Sequence, residues 1–197
     1  MSRAGAALTL SALILAASAT SAADASQTAR LSAKFTPEKL GAPTAISLGV
    51  DIAGVGESLP SALTGIDFRY PAGFALATST LGLAACNQAR LEAQGPPACP
   101  VNSRMGGGTA IVEFPLGPET RTETAQIAIF AGPSSDGHLH MLIFAMGEEP
   151  VYGQIVMSAV LVSGDLRFTV PLVPSLPGSP DVAVVKLRVT IGGKLTY

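Results

Sequence analysis

Apolar and polar residues alternate with a period of two through most of this chain. Over 44–52, Ile46, Leu48, Val50 and Ile52 fall on one side, and Ser47, Gly49 and Asp51 on the other. Near the C-terminus, Val185, Leu187, Val189 and Ile191 alternate with Lys186, Arg188 and Thr190. Successive side chains of a strand point to opposite faces, so this pattern predicts half-buried strands. The same reading gives strands at 66–70, 111–114, 126–130, 139–145, 151–162 and 166–172. Residues 87–94 are instead good helix formers stopped by Gly95-Pro96-Pro97, which predicts one short helix.

About eight strands and one helix leave no room for a repeated strand–helix–strand plan. One apolar and one polar face is the pattern of antiparallel sheet. Many short strands separated by turn signals point to an all-β protein, an antiparallel β-sandwich that is immunoglobulin-like or jelly-roll-like. The helix would sit in an excursion over 76–105. A single domain over 36–197 is expected, the alternative being a division near Gly106-Gly107-Gly108.

Residues 1–23 read as a secretory signal peptide: Arg3, an uncharged apolar run from Ala6 to Ala17, then Ser21-Ala22-Ala23 before Asp24. A second cut is available after Ala19. The apolar run is short for a bilayer span, which takes roughly 20 residues, although an uncleaved anchor is the alternative. Residues 24–35 read as a flexible leader. No later stretch is apolar for long enough to cross a membrane. In an exported chain, Cys86 and Cys99 are expected to form a disulfide that clips the helical excursion, since exported chains with paired cysteines usually oxidise them. Two cysteines this far apart, with no histidine nearby, make poor metal ligands.

Composition narrows the function. Of the 197 residues, 48% are hydrophobic and only 13% charged, which argues against disorder. A net charge of −2 excludes the basic footprint of a nucleic-acid binder. The absence of Trp weakens any carbohydrate-stacking platform, with Tyr70 and Tyr152 the remaining aromatic candidates. Gly106-Gly107-Gly108 lacks the Lys-Ser/Thr ending of a phosphate loop, and its glycines read as sites of positive φ or close backbone approach.

Three segments are distinctive: 63–73 (LTGIDFRYPAG), 170–181 (VPLVPSLPGSPD), and Cys86 with Cys99-Pro100-Val101-Asn102-Ser103-Arg104-Met105-Gly106-Gly107-Gly108. Together they resemble a group of uncharacterised exported β-rich proteins of high-GC actinobacteria. The likeness runs from about residue 40 to the end. It implies secretion and a β-rich build, and brings no activity or catalytic residue. Members of that group continue past the equivalent of Tyr197, and this chain stops in mid-strand pattern. A partial sequence, or an edge strand that simply stops, is the expectation there.

Few residues carry candidate chemistry. His138 and His140, the only histidines, sit two apart, so one strand face could present both to a metal, with Asp136 or Glu148 completing the site. Ser134 and Ser135 near His138 suggest hydrolysis, but no G-x-S-x-G elbow is present. Glu113, Glu123, Glu148 and Glu149 are the carboxylates that paired acid–base chemistry would draw on. Arg104 is a candidate surface contact, or it joins Asn102 and Ser103 in tying down the Cys99 loop. The expectation is therefore an exported cell-envelope or extracellular module with a binding or structural role. It carries no catalytic site, metal or cofactor, and its partner is unknown. His138, His140 and Arg104 are the candidate binding residues. The alternative is an extracellular hydrolase or metal-binding protein using the two histidines.

Overall fold

The computed structural model describes residues 27–39, 42–56, 58–69, 84–134, 138–150, 152–162, 165–173 and 181–192. The signal-peptide region, Tyr70, Ser135, Asp136 and the last five residues lie outside them. Nine strands follow: β1 (Thr28–Thr36), β2 (Ala45–Ala53), β3 (Gly65–Arg69), β4 (Arg104–Leu116), β5 (Glu119–Ala131), β6 (Leu139–Gly147), β7 (Gly153–Val162), β8 (Asp165–Thr169) and β9 (Ala183–Ile191). The helix α1 (Gln88–Gln94) lies between β3 and β4.

All nine strands belong to one sheet, in the order β1-β2-β9-β4-β5-β6-β7-β8-β3, and every pairing is antiparallel. The expected sandwich is thus replaced by a single sheet curled into a half-barrel. The chain itself demands the curl. From β2 to β3 are seven strand steps, roughly 34 Å across a flat sheet at ~4.8 Å per strand. The link between them is Gly54–Thr64, eleven residues, which would have to be almost fully stretched to cover that distance. It is not stretched: Ser58 N–H donates to the Val55 carbonyl at 3.1 Å, closing a turn inside it. Ser61 N–H also donates to Gln27 Oε1 at 2.8 Å, tying the approach to β3 to the residue preceding β1.

Gly106-Gly107-Gly108, read from the sequence as sites of positive φ or close backbone approach, lies inside β4 without positive φ and lets β9 approach closely there. A β-carbon on Gly108 would overlap the Arg188 carbonyl oxygen and lie 2.7 Å from the Val189 Cα; one on Gly106 would overlap the Thr190 carbonyl oxygen. Glycine is what lets β9 come this close, as at barrel corners. The register of β4 also shifts against both neighbours, between Arg104 and Gly106 against β5 and between Ile111 and Val112 against β9. Such bulges bend and coil a strand.

The flexible leader expected at 24–35 is corrected by β1, which pairs with β2 along all nine of its residues. Ala29, Leu31, Ala33 and Phe35 carry the apolar face of β2 onto this edge, but β1 is exposed throughout, Leu31 at 62%.

Two apolar clusters lie on opposite faces of the sheet. On β5, Ile127, Ile129 and Ala131 belong to the inner cluster, whereas Ala128 and Phe130 belong to the outer one. On β6 the same division separates Met141 from Leu142 and Phe144. The outer cluster exists because α1 lies on it. Leu91, fully buried, packs with Phe130, Leu142 and Phe144. Asn87 Oδ1 caps the helix by accepting from Arg90 N–H, and Gly95, at φ 71°, closes it by donating to the Leu91 carbonyl. Cys86 and Cys99 are joined, with 4.9 Å between their Cα atoms. Cys86 N–H donates to the Ala131 carbonyl at 2.8 Å, anchoring the clipped segment to β5.

Away from α1 the outer face is polar. Arg188 Nη2 donates to both carboxylate oxygens of Asp51 at 2.7 Å, Arg167 Nε donates to Asp67 Oδ1 at 3.0 Å, and Ser47 and Thr190 share a hydroxyl bond at 2.9 Å.

Candidate functional site

The concave face encloses a cavity of about 300 Å³. Its wall follows from strand alternation: Leu48 from β2, Val189 from β9, Val112 from β4, Ile127 from β5, Ile143 from β6 and Met157 from β7. Phe68 and Phe168, with ring centres 6.2 Å apart, close it at the β3–β8 side. The two long crossovers supply the rest, through Ala62 and Leu63 before β3 and Val170 to Val173 after β8. Val170 N–H donates to the Thr64 carbonyl at 2.9 Å, so these two crossovers meet where they enter the cavity wall.

Among the described residues, Glu123 is the one charged side chain on that wall. It is 6% exposed. Counting back by twos from Ile129, Ile127 and Ala125 places it on the inner face of β5, opposite Val112. Its carboxyl group lies over Gly147, near the end of β6, where a β-carbon would overlap Oε1 and sit 2.7 Å from Cδ. At the same end, the side chain of Gln154 turns to the outer face, where its Nε2 donates to the Glu92 carbonyl of α1 at 3.1 Å and its Oε1 accepts from the Tyr152 hydroxyl at 3.3 Å. The site is therefore an apolar trough with one acid at one end. Mostly apolar concave sites of this size, with a few placed polar groups, are the usual form of a small-molecule pocket.

The residues expected to carry chemistry lie elsewhere. His140 shares the outer face with Leu142 and Phe144, whose apolar character α1 explains, and its backbone carbonyl accepts from Gly132 N–H at 2.8 Å. His138 precedes β6, and its carbonyl accepts from the Ser134 hydroxyl, so that serine is engaged with backbone in a turn. Glu148 is exposed beyond β6, and Asp136 lies outside the described residues. No group of three metal-ligating side chains occurs among the described residues. Glu113 and Glu123 fall on opposite faces of the sheet, because Glu113 pairs with Thr122 and Val112 with Glu123. They cannot flank one substrate bond. Arg104 folds back over its own strand, with Nε donating to the Gly106 carbonyl at 3.4 Å, beside Ser103, which is buried and donates to the Pro100 carbonyl.

Sequence reasoning named Glu123 only as one of several carboxylates and missed the cavity. No family model, curated protein or solved structure matches this chain. Among the described residues, no helix is long and apolar enough to cross a membrane.

Proposed function

We propose that this chain is an exported, non-enzymatic binding module that holds an elongated apolar small molecule along the concave face of its half-barrel. The observation that carries the reading is the cavity of about 300 Å³, whose wall is mostly apolar and, among the described residues, carries one charged side chain, Glu123. That is roughly twice the ~150 Å³ void that takes up benzene, or room for a chain of about ten carbons. Burying such a chain is favourable by about 25 cal/mol for each Å² of apolar surface removed from water. Export is supported by the apolar leader at 6–17 and by the disulfide, which persists in oxidising compartments.

The test is titration of the purified chain with N-phenyl-1-naphthylamine, a neutral apolar probe that fluoresces when it leaves water. A saturable rise is expected. Ala125→Phe, which fills the trough, is expected to weaken the probe at least about tenfold, whereas Lys186→Ala on the outer face leaves it unchanged. Absence of saturable binding, or equal binding by Ala125→Phe with its fold retained, would overturn the reading. Export is tested separately, by mass spectrometry of the processed chain. An N-terminus at Asp24 or Thr20 and the loss of two thiol hydrogens are expected; retention of Met1 inside the cell overturns that part.

A further inference from the structure

Independently of the cavity, we infer that β1 is a docking edge for an extended segment of another protein. That segment adds to the sheet beside β1, with acidic side chains on the outer face and apolar ones on the inner face. β1 ends the sheet and, among the described strands, pairs only with β2. It is exposed along all nine residues, with an unbroken register and no proline. Edges are usually blunted by short strands, bulges or prolines, and β3, the opposite edge, has only five residues. The two sides of β1 differ in chemistry. Leu31 pairs with Val50 and Ala33 with Leu48, so they extend the inner face, whereas Arg30 and Lys34 pair with Asp51 and Ser47 on the outer one. Charge on that outer side is lopsided. Asp51 is the acid facing Arg30, but both its oxygens are held by Arg188 at 2.7 Å, and Lys186 stands opposite it on β9. Glu113, the next acid on this face, lies beyond β9 on β4, and Glu38 and Lys39 past the end of β1 offset each other. One carboxylate thus serves Arg30, Lys34, Lys186 and Arg188 on β1, β2 and β9, in a chain whose net charge is −2.

An edge strand offers N–H and C=O groups along its free side. An added strand answers them, so backbone pairing supplies affinity and alternate side chains supply choice. Cross-strand neighbours of opposite charge attract and like charges repel. Acids set opposite Arg30 and Lys34 therefore meet cations that Asp51 leaves unneutralised. Apolar residues at the alternate positions lie beside Leu31, which is 62% exposed, and carry the inner face one strand further. The same cations turn away a second copy of this chain. In an antiparallel self-pair about Ser32, Arg30 of each copy meets Lys34 of the other, and neighbouring registers still crowd these cations onto one seam.

The experiment titrates the full chain into three rhodamine-labelled peptides at low salt and follows anisotropy. The first, Thr-Val-Glu-Val-Thr-Val-Glu-Val-Thr, sets its acids opposite Arg30 and Lys34 when it runs antiparallel to β1. The second carries Lys in place of Glu. The third keeps both acids but has Pro-Pro in place of the central Val-Thr. Adjacent residues of a strand bond to opposite sides, so the Pro-Pro peptide loses a ladder bond in any register. Saturable binding of the first is expected, at least about tenfold tighter than of the other two, and its lead over the Lys peptide shrinks as salt rises. A chain carrying both Arg30→Glu and Lys34→Glu is expected to reverse the order and prefer the Lys peptide. If the Pro-Pro peptide binds as well as the first, the attraction is charge alone and strand addition falls. If the charge-reversed chain still prefers the acidic peptide, the site is not β1 and the inference falls. Absence of saturable binding by the acidic peptide overturns it too. So does a dimer in sedimentation that Leu31→Lys dissociates, which gives the edge to a second copy. The three peptides on the unaltered chain decide the matter even where the charge-reversed chain does not fold.

Discussion

The carboxyl group of Glu123 lies over the Cα of Gly147, so that any β-carbon at 147 would overlap Oε1. The two residues come from adjacent strands, β5 and β6, and each explains the other. Gly147→Ala must displace the acid or the end of β6, and overpacking of this kind costs roughly 1–3 kcal/mol. Truncating the acid removes the clash. In a double-mutant cycle with Glu123→Ala, the Gly147→Ala penalty is expected to fall by at least about 1 kcal/mol. Urea unfolding of the four proteins measures it, and additive penalties would show that the acid is not seated on this glycine.

The bend at β4 makes a sharper demand. A β-carbon on Gly108 meets the backbone of β9 rather than a flexible side chain, with Arg188 C at 2.9 Å and Val189 Cα at 2.7 Å. Backbone held in a ladder has little freedom to retreat. Gly108→Ala is expected to destabilise by about 3 kcal/mol, at the upper end for overpacked sites. Gly117, at φ 64° in the β4–β5 turn, has nothing within 4 Å of a β-carbon. Gly117→Ala carries only the left-handed backbone cost, about 1–2 kcal/mol. Equal penalties in thermal unfolding would contradict the close approach at Gly108.

Exposed charge contributes little by comparison. Arg188 and Asp51 make a two-pronged contact at 2.7 Å, yet their side chains are 43% and 44% exposed. Water and salt screen such a pair, so Asp51→Asn is expected to cost no more than about 1 kcal/mol, less in high salt. A larger loss, insensitive to salt, would mean that the outer face holds the sheet more tightly than its exposure indicates.

The strands were legible where apolar side chains alternate strictly, as at Ile46 to Ile52 and Val185 to Ile191. β1 escaped notice because Ala29 and Ala33 blur the alternation and neither face of an exposed edge is selected for burial. How the sheet closes was not legible at all. Alternation states that one face is apolar but not what covers it, and a curled sheet covers itself as well as a second sheet would. The outward Leu142 and Phe144 looked like broken alternation because their cover, α1, comes from a distant part of the chain. Glu123 was hidden in the polar run Glu119-Thr120-Arg121-Thr122-Glu123-Thr124; only its even spacing from Ile127 and Ile129 gave it an inward face.

The division of the sheet into two faces can be tested by damaging one and reading the other. Leu91 is fully buried between α1 and the outer side of β5 and β6, and it lines no part of the cavity. Leu91→Ala opens a void there and is expected to cost about 2–5 kcal/mol. Removing the Cys86–Cys99 bridge, which closes a short loop around the same helix, is expected to cost about 3 kcal/mol in the chain-entropy picture. Both losses act on the same packed segment, so together they should depart from additivity, because α1 released from its clip already forfeits part of its packing. Neither change touches the trough. Under conditions where the variants stay folded, N-phenyl-1-naphthylamine is expected to bind each within about twofold of the parent, since sites without shared partners act independently. Loss of probe binding in folded Leu91→Ala would mean that the two faces are not separate, and that the concave site depends on the helix riding outside it.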